Sequence, residues 1–212
     1  MFDLEPLSQA VVTGKRQDAT RLTQEALDAG ESPVDIVDNG LVPGMAIVGE
    51  KFKCNEFYVP QMLIAARAMK EAMAMLEPLL LQAGITPEHT VVVGTVQGDL
   101  HDIGKNLVAM MLKGANYGVV DMGTNVSAQS FVDAVKQNNA HVLGLSALLT
   151  TTMSEMKAAV AAMKDADLAD VKIVIGGAPI TQAYADQIGA DGFAPDAATA
   201  VEVVDKVLAK AS

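Results

Sequence analysis

The sequence has little of what several classes of protein depend on. It contains one cysteine, no tryptophan and only 4% aromatic residues. A single cysteine excludes an internal disulfide, which favours a reducing compartment such as the cytoplasm. The scarcity of aromatic side chains argues against a platform on which nucleic-acid bases would stack. Cys54 itself is expected to be a buried or partly buried small hydrophobic residue.

Basic charge and long apolar runs are also scarce. The chain has 15 Lys and Arg residues against 26 Asp and Glu, a net charge of -11 that both halves share. Without a basic patch or tail, binding to nucleic acid or to an anionic membrane surface is disfavoured. No apolar run approaches the roughly twenty residues of a membrane-spanning helix. Residues 1–6 also lack a signal-peptide core, so the sequence predicts a cytoplasmic protein.

The pattern of apolar residues predicts two domains. The 212 residues, 50% of them hydrophobic, can form one or two globular cores. Residues 1–84 carry helical apolar stripes, with a helix start at Ser32-Pro33 and a longer helix from near Pro60, which predicts an all-α helical-bundle domain. A glycine- and proline-containing linker follows at 85–89. Strands are then predicted at 90–96, 118–122, 142–146, 171–175 and 192–194, and a last helix at 197–210. Such alternation predicts an α/β Rossmann-like (flavodoxin-like) domain at 90–212 with a parallel five-stranded sheet.

The stretch with the strongest chemical signal is residues 97–106, which lies between the first strand and the first helix of that domain. A loop in this position lies at the carboxyl edge of the sheet, where α/β sheets bind ligands. Asp99 and His101 are two residues apart, so on an extended segment the carboxylate can bond one imidazole nitrogen and leave the other free to bind. Gly98 and Gly104 allow a tight turn and the close approach of a bulky ligand.

Two familiar kinds of site do not fit the residues of this loop. A phosphate-binding loop would need four residues between its glycines and then Ser or Thr after the lysine, whereas five separate Gly98 from Gly104 and Asn106 follows Lys105. Zinc would need three or four protein ligands, and the other histidines, His89 and His141, open strands at the opposite edge. A purely structural Asp–His hydrogen bond is still compatible with the residue types.

Two further motifs fall at the ends of the next strands on the same edge. Ser146 closes the third strand and can hydrogen-bond a polar group, while Leu148 and Thr150 would continue a wall beside it. Gly176 and Gly177 close the fourth strand, where missing side chains leave room for something flat or bulky. Each motif alone is an ordinary loop or turn. Their joint placement beside the Asp-x-His loop predicts one shared site.

Taken together, the motifs resemble the cobalamin-binding signature of methionine synthase and of the corrinoid proteins of methanogens and acetogens. The resemblance implies a cobalamin or related corrinoid cofactor, with His101 as the lower axial ligand to cobalt and Asp99 as its orienting partner. It implies a hydroxyl residue in the same relay, where this chain has Thr152. It also implies a deep pocket beside the sheet for the displaced nucleotide tail. The cofactor-binding residues predicted in this domain are Gly98, Asp99, His101, Asp102, Ile103, Gly104, Ser146, Leu148, Thr150, Thr152, Gly176 and Gly177, and no residue is predicted to be catalytic.

The N-terminal segments at 40–52 and 56–62 resemble the helical domain that precedes the cobalamin domain in the same family. The resemblance implies that this domain caps the upper face of the corrin, shielding reactive cobalt from water and oxygen. Phe57, Tyr58 and Met62 are the predicted cap contacts.

The same resemblance predicts a function. A helical cap followed by a cobalamin domain is similar to the free-standing corrinoid proteins of methylamine, methanol, betaine or aryl methyl ether metabolism. It implies a subunit that carries a methyl group from a substrate-specific methyltransferase to a second methyltransferase, with a reductive activase as a possible third partner. A cobalamin-binding sensor is the alternative, although no basic helix-turn-helix is visible as its output. A carbon-skeleton isomerase subunit would fit the Asp-x-His loop but not the helical domain.

Overall fold

The computed structural model describes residues 2–209, which form two compact units. One unit comprises the chain up to residue 87 together with residues 114–116, and the other comprises residues 88–113 and the chain from residue 117 onward. The boundary at Pro87 lies inside the stretch predicted to be a linker, and the division at 84 and 90 stays a prediction. Among the described residues, no helix is long and apolar enough to cross a membrane.

The N-terminal unit is entirely helical. Its long helix starts at Val59, one residue before the predicted Pro60, and its third helix starts where Ser32-Pro33 predicted it. Ser32 Oγ accepts a hydrogen bond from the Asp35 N–H at 3.1 Å, which satisfies a donor that the first turn leaves unpaired. The helices are α1 (Glu5–Val12), α2 (Arg16–Asp28), α3 (Pro33–Ile36), α4 (Val42–Lys53) and α5 (Val59–Gln82).

A π-helical segment, Val37–Leu41, joins α3 to α4 without a break. The Val42 N–H donates to the Val37 carbonyl, five residues back, instead of to the residue four back. Pro43 provides a reason, because it has no N–H to offer the Asn39 carbonyl and its ring would clash with that oxygen. The apolar pattern of the sequence did not predict this segment.

In α5, methionines and leucines at helical spacing from Met62 onward form the apolar stripe expected of a bundle helix, but one prediction about the helical unit was wrong. Met62, Met69 and Leu76 are buried, while Met73 and Leu80 are partly buried. Cys54 is exposed, not buried. It follows the last turn of α4, where Asn55 turns the chain with a φ of 58°, so its side chain lies outside the helical packing.

The second unit contains the predicted sheet. Five strands pair in the order β2-β1-β3-β4-β5, and every pair is parallel. This is the flavodoxin-like order, so the predicted fold class is confirmed. Each strand begins and ends within one residue of its prediction. The strands are β1 (Thr90–Thr95), β2 (Gly118–Asp121), β3 (Val142–Ser146), β4 (Lys172–Gly176) and β5 (Gly192–Ala194).

Helices cover both faces of this sheet. Successive strand residues point to opposite faces, so Val92 and Leu143 join one core with Phe131, while Val91 and Val142 join the other. The last helix ends at Ala209 in the described part of the chain, and residue 210 of its prediction lies outside it. The helices are α6 (Ile103–Gly114), α7 (Ala128–Gln137), α8 (Met153–Asp165), α9 (Gln182–Ile188) and α10 (Ala197–Ala209), with a 3-10 turn (Thr150–Thr152) before α8.

The strand order determines where a ligand can bind. The chain leaves β1 toward β2 on one side, and β3 lies on the other side of β1, so the connections diverge between β1 and β3. Such a divergence opens a crevice outside the carboxyl ends of the strands. The loop that contains His101 follows β1, and the segment that contains Leu148 follows β3. Both therefore lie at this crevice.

Candidate functional site

The two motif residues in the loop after β1 differ in their exposure to solvent. Asp99 is fully buried, whereas the His101 side chain is 51% exposed. The Thr95 hydroxyl donates to the His101 carbonyl at 2.8 Å and thereby ties the loop back to the end of the strand. The imidazole of His101 is therefore open to solvent, while the carboxylate of Asp99 is buried.

The carboxylate of Asp99 makes hydrogen bonds with several donors at this site. Asp99 Oδ1 lies 2.8 Å from His101 Nδ1 and accepts the His101 N–H at 3.1 Å. Its other oxygen, Oδ2, accepts the N–H groups of Leu148 at 2.8 Å and Leu149 at 3.2 Å. The Thr152 hydroxyl lies 2.8 Å from the same oxygen. The Asp99–His101 contact that the spacing predicted is thus present, and Thr152 lies where the resemblance implied a hydroxyl residue.

The ionisation of Asp99 follows from this environment. Burial raises the pKa of the carboxyl, but the hydrogen bonds from Leu148, His101 and Thr152 outweigh it and hold the pKa well below its usual range. Asp99 is therefore an anion at neutral pH, and an anionic carboxylate can only accept hydrogen bonds. In the neutral imidazole the proton is then on Nδ1, which donates to Asp99, and the lone pair is on Nε2.

The surroundings of His101 are apolar and exposed. Leu100 is 74% exposed and Ile103 73%, and Leu148 and Leu149 are also exposed. Large exposed apolar side chains grouped at one place commonly mark a binding surface. A free imidazole nitrogen with leucine and isoleucine around it suits a metal that arrives inside a large, flat, mostly apolar ligand. Within residues 2–209, no three His, Cys, Asp or Glu side chains converge as a site for a bare metal ion.

Gly104 provides an independent sign of a ligand. It lies in the first turn of α6, where glycine is less favourable than alanine by up to about 1 kcal/mol. A Cβ at this position would meet no protein atom within 4 Å, so the packing of the protein does not require glycine here. The missing side chain leaves open space beside His101, which a flat ligand could use. The residues present therefore fit a corrinoid.

The paired glycines after β4 have a different physical explanation. Gly177 has a φ of 133°, and a Cβ there would lie 1.9 Å from the Ala147 carbonyl oxygen. A Cβ on Gly176 would lie 2.9 Å from the Ala194 carbonyl oxygen. The group that approaches these glycines is thus the backbone of the neighbouring strands' ends. Their contact with a cofactor stays a prediction.

The remaining predicted residues lie at the same edge or in the helical unit. Ser146 ends β3, and its carbonyl accepts the Val96 N–H at 3.0 Å. Thr150 is exposed in the 3-10 turn, and Asp102 accepts a hydrogen bond from Asn106 Nδ2 at 3.1 Å. In the helical unit Phe57 is partly buried, Tyr58 is exposed and Met62 is buried. The predicted roles of all these residues in cofactor binding stay predictions.

The loop between β2 and α7 also belongs to this edge, although the sequence motifs did not point to it. Asp121 ends β2 at the same carboxyl edge, and the buried Lys105 donates to its two oxygens, each at 2.6 Å. Burial raises the pKa of Asp121, but Lys105 and the Gly123 N–H outweigh it and lower that pKa. A polar residue at a strand's carboxyl end was the signal that identified His101, and the same signal would have pointed to Asp121.

Comparison with family models gives the class of this fold and site. A B12 binding domain model matches residues 89–204, and a second B12 binding domain model matches residues 3–77. The α/β unit and the helical unit are therefore those of a B12-binding protein.

Relatives identify the family more closely. The chain is 41% identical over 211 residues to a corrinoid protein of Desulfitobacterium hafniense (strain Y51), covering 98% of each chain. It is 38% identical over 208 residues to the dimethylamine corrinoid protein of Methanosarcina barkeri, covering 97% of each. The chain belongs to the family of corrinoid proteins, and its cofactor is a cobalamin or a related corrinoid. The predicted family and cofactor are confirmed.

A solved structure shows the same architecture. A chain of the methanol:cobalamin methyltransferase complex of Methanosarcina barkeri is 30% identical, with a TM-score of 0.84 over 96% of this chain and 78% of that chain.

Proposed function

We propose that this protein carries methyl groups on a corrinoid whose cobalt is bound by His101 Nε2. A bound corrinoid supplies a cobalt centre that can accept a methyl group from one molecule and release it to another. The observation that carries the proposal is the pairing of His101 Nδ1 with the buried Asp99 at 2.8 Å. In the neutral imidazole this pairing places the proton on Nδ1 and the lone pair on Nε2, which is aimed away from the carboxylate, as metal-binding histidines require.

The rest of the relay holds that pair in place. The N–H groups of Leu148 and Leu149 and the Thr152 hydroxyl fix Asp99 Oδ2, so the carboxylate cannot rotate without losing several hydrogen bonds. Because Asp99 stays anionic, it also stabilises the positive charge that the imidazole acquires when it donates to a metal ion. The chain thus contributes one preoriented ligand and a charge that strengthens it.

We propose two protein partners for this carrier, a substrate-specific methyltransferase and a second methyltransferase that serves the methyl acceptor. Support comes from the relatives, which include a dimethylamine corrinoid protein and a chain of a methanol:cobalamin methyltransferase complex. The chain matches these proteins over 96% or more of its own length. A reductive activase is a third proposed partner, because reduced cobalt is readily oxidised.

The first experiment tests the axial ligand. The purified protein, reconstituted with hydroxocobalamin, should bind about one corrinoid per chain, and its Co(II) state should show coupling to one axial nitrogen in electron paramagnetic resonance. His101→Ala should lose that coupling. His141→Ala is the matched control, because His141 is an exposed histidine of the same unit that directly precedes β3, at the opposite edge of the sheet. Nitrogen coupling that survives in His101→Ala would refute the assignment.

The second experiment tests methyl carriage. Protein with reduced cofactor is mixed with a methyltransferase encoded nearby and a substrate carrying an isotopic label in its methyl group. The label should move to the corrinoid protein only when the methyltransferase is present. Methylamines, methanol, betaine and aryl methyl ethers are the substrates to compare. Absence of transfer from all of them, together with a ligand-dependent change in oligomer size, would favour a sensor instead.

A further inference from the structure

Asn125, in the loop between β2 and α7, contacts the loop of His101 with both its side chain and its backbone. Its side-chain oxygen Oδ1 accepts the Gly98 N–H at 2.8 Å. Its own N–H donates to the Asp99 carbonyl at 3.0 Å. One residue therefore holds the Gly98-Asp99 pair at both ends.

The backbone conformation of Asn125 suits it to this contact. Asn125 has a φ of 56° and Gly98 a φ of 79°, so both lie in the left-handed region. Asparagine enters that region more readily than most residues and also supplies an acceptor oxygen. The next residue, Val126, forms an isolated parallel bridge with Val96, and its N–H donates to the Thr95 carbonyl at 3.0 Å. The loop is thus held beside the end of β1.

The start of the loop between β2 and α7 is also held by hydrogen bonds. The Gly123 N–H donates to Asp121 Oδ1 at 2.9 Å, and the Gly123 carbonyl accepts the Thr95 N–H at 2.9 Å. Asp121 in turn accepts a hydrogen bond from Nζ of the buried Lys105, which lies in the first turn of α6. The loop that contains Asn125 is therefore held by β1 and β2 and, through Asp121, by α6; of these, β1 and α6 flank the His101 loop.

We propose that Asn125 is a positioning residue for the axial histidine, a role that rests on the proposed ligation of cobalt by His101. The Asp99 N–H donates to the Val96 carbonyl at 3.1 Å, so Asn125 completes the backbone bonding of Asp99. The side chain of Asp99 reaches His101, Leu148 and Thr152 from that fixed backbone. A ligand site works well only when its supporting residues hold it within about 0.5 Å of the productive geometry. Releasing Gly98 should therefore loosen the Asp99–His101 pair.

Asn125→Gly isolates the side-chain contribution. Glycine keeps the left-handed φ and the N–H bond to Asp99, and it removes only the acceptor for Gly98. Asn139→Gly is the matched control, because Asn139 is an exposed residue of the same unit with a φ of 46°, in the turn that follows α7. Asn125→Asp keeps an oxygen acceptor at the same place and serves as the conservative variant.

The first readout uses the apoprotein and does not depend on the cofactor. In nitrogen–proton NMR spectra, the Leu148 and Leu149 amides and the His101 ring nitrogens report their bonds to Asp99. Asn125→Gly should shift these signals toward weaker bonding, and Asn139→Gly should not.

The second readout uses the cobalamin-loaded protein. The more electron-rich Co(I) would bind the His101 imidazole more weakly than Co(II) does, so loss of affinity between His101 and Co(II) would raise the Co(II)/Co(I) midpoint potential. Loss of one hydrogen bond that supports the ligand should weaken the axial bond about 2- to 10-fold, a rise of about 20 to 60 mV for one electron. Asn125→Asp and Asn139→Gly should show no rise.

The outcomes separate this inference from the proposed function. A wild-type Co(II) spectrum without nitrogen coupling would refute His101 as the ligand, and the inference with it. Nitrogen coupling in the wild type, with an unchanged potential and unchanged apoprotein signals in Asn125→Gly, would refute the inference alone. A raised potential in Asn125→Gly that Asn125→Asp does not reproduce would support it.

Discussion

Asp99→Asn is the substitution that most directly tests how the site works. The asparagine side chain has nearly the same shape, but one of the two carboxylate oxygens becomes an NH₂ donor. In wild type both oxygens accept hydrogen bonds, Oδ1 from His101 and Oδ2 from Leu148, Leu149 and Thr152. Asparagine can satisfy only one of these two sides.

Both orientations of the asparagine side chain weaken the site, each for a different reason. With its oxygen toward Leu148, the NH₂ group donates to His101 Nδ1 and thereby favours the tautomer with a proton on Nε2, which blocks the metal-binding lone pair. With its oxygen toward His101, the NH₂ group opposes the Leu148 and Leu149 N–H groups and leaves these partly buried donors unpaired, at up to about 3 kcal/mol each. Loss of such an orienting partner typically lowers metal affinity about 10- to 100-fold. At 1.4 kcal/mol per tenfold, this corresponds to about 1.4–2.8 kcal/mol.

The assay is a spectral titration with hydroxocobalamin, combined with electron paramagnetic resonance of the Co(II) state. Asp133→Asn is the matched control from the same unit, because Asp133 is exposed on α7 and its side chain accepts a hydrogen bond from Gln129 Nε2. We expect Asp133→Asn to stay within about twofold of wild type, since such surface changes are usually worth less than about 0.5 kcal/mol. Wild-type affinity and full nitrogen coupling in Asp99→Asn would show that the carboxylate does not orient His101.

Three further outcomes follow from the same geometry. Gly104→Ala should leave the thermal stability of the apoprotein equal or slightly higher, because helix propensity improves, yet should weaken corrinoid binding in the titration; equal binding would show that the open space is not used. Thr152→Val should weaken binding about 2- to 10-fold through loss of one hydrogen bond to Asp99, while Thr152→Ser, which keeps the hydroxyl, should not. The folded pKa of Asp99 is lower than its unfolded value of about 3.9, so its ionisation stabilises the fold above that pH and stops doing so as the pH falls through the folded pKa. The difference in unfolding free energy between wild type and Asp99→Asn, measured by denaturant titration, should therefore shrink below about pH 4; a constant difference would contradict the lowered pKa.

Local patterns in the sequence were enough to predict the strands and the contact between Asp99 and His101. The β-branched run at 90–96 and the glycines and prolines between elements place strand ends within one residue, because strands covered on both faces read as short continuous apolar runs and turn residues interrupt them. Asp99 and His101 are two residues apart, so their contact depends on one short piece of backbone. Local pattern therefore determined the fold class and the edge of the sheet, while the corrinoid came from the resemblance of the motifs to a known family.

The contacts between strand ends were decided only by the tertiary structure. Leu148 and Thr152 reach Asp99 from 49 and 53 residues away, and Asn125 reaches Gly98 from 27. Whether such loops meet depends on which strands are neighbours, and periodicity does not encode strand order. The resemblance supplied a role for Thr152, but nothing in the sequence pattern singled out Asn125.

Burial and close backbone approach were likewise decided by packing. Gly177 must be glycine because the Ala147 carbonyl occupies the place of its Cβ, and Cys54 is exposed because α4 ends just before it. Neither fact is encoded in the residues adjacent in sequence. The order of the strands, with β2 and β3 on either side of β1, brings three loops around one histidine, because only neighbouring parallel strands end side by side.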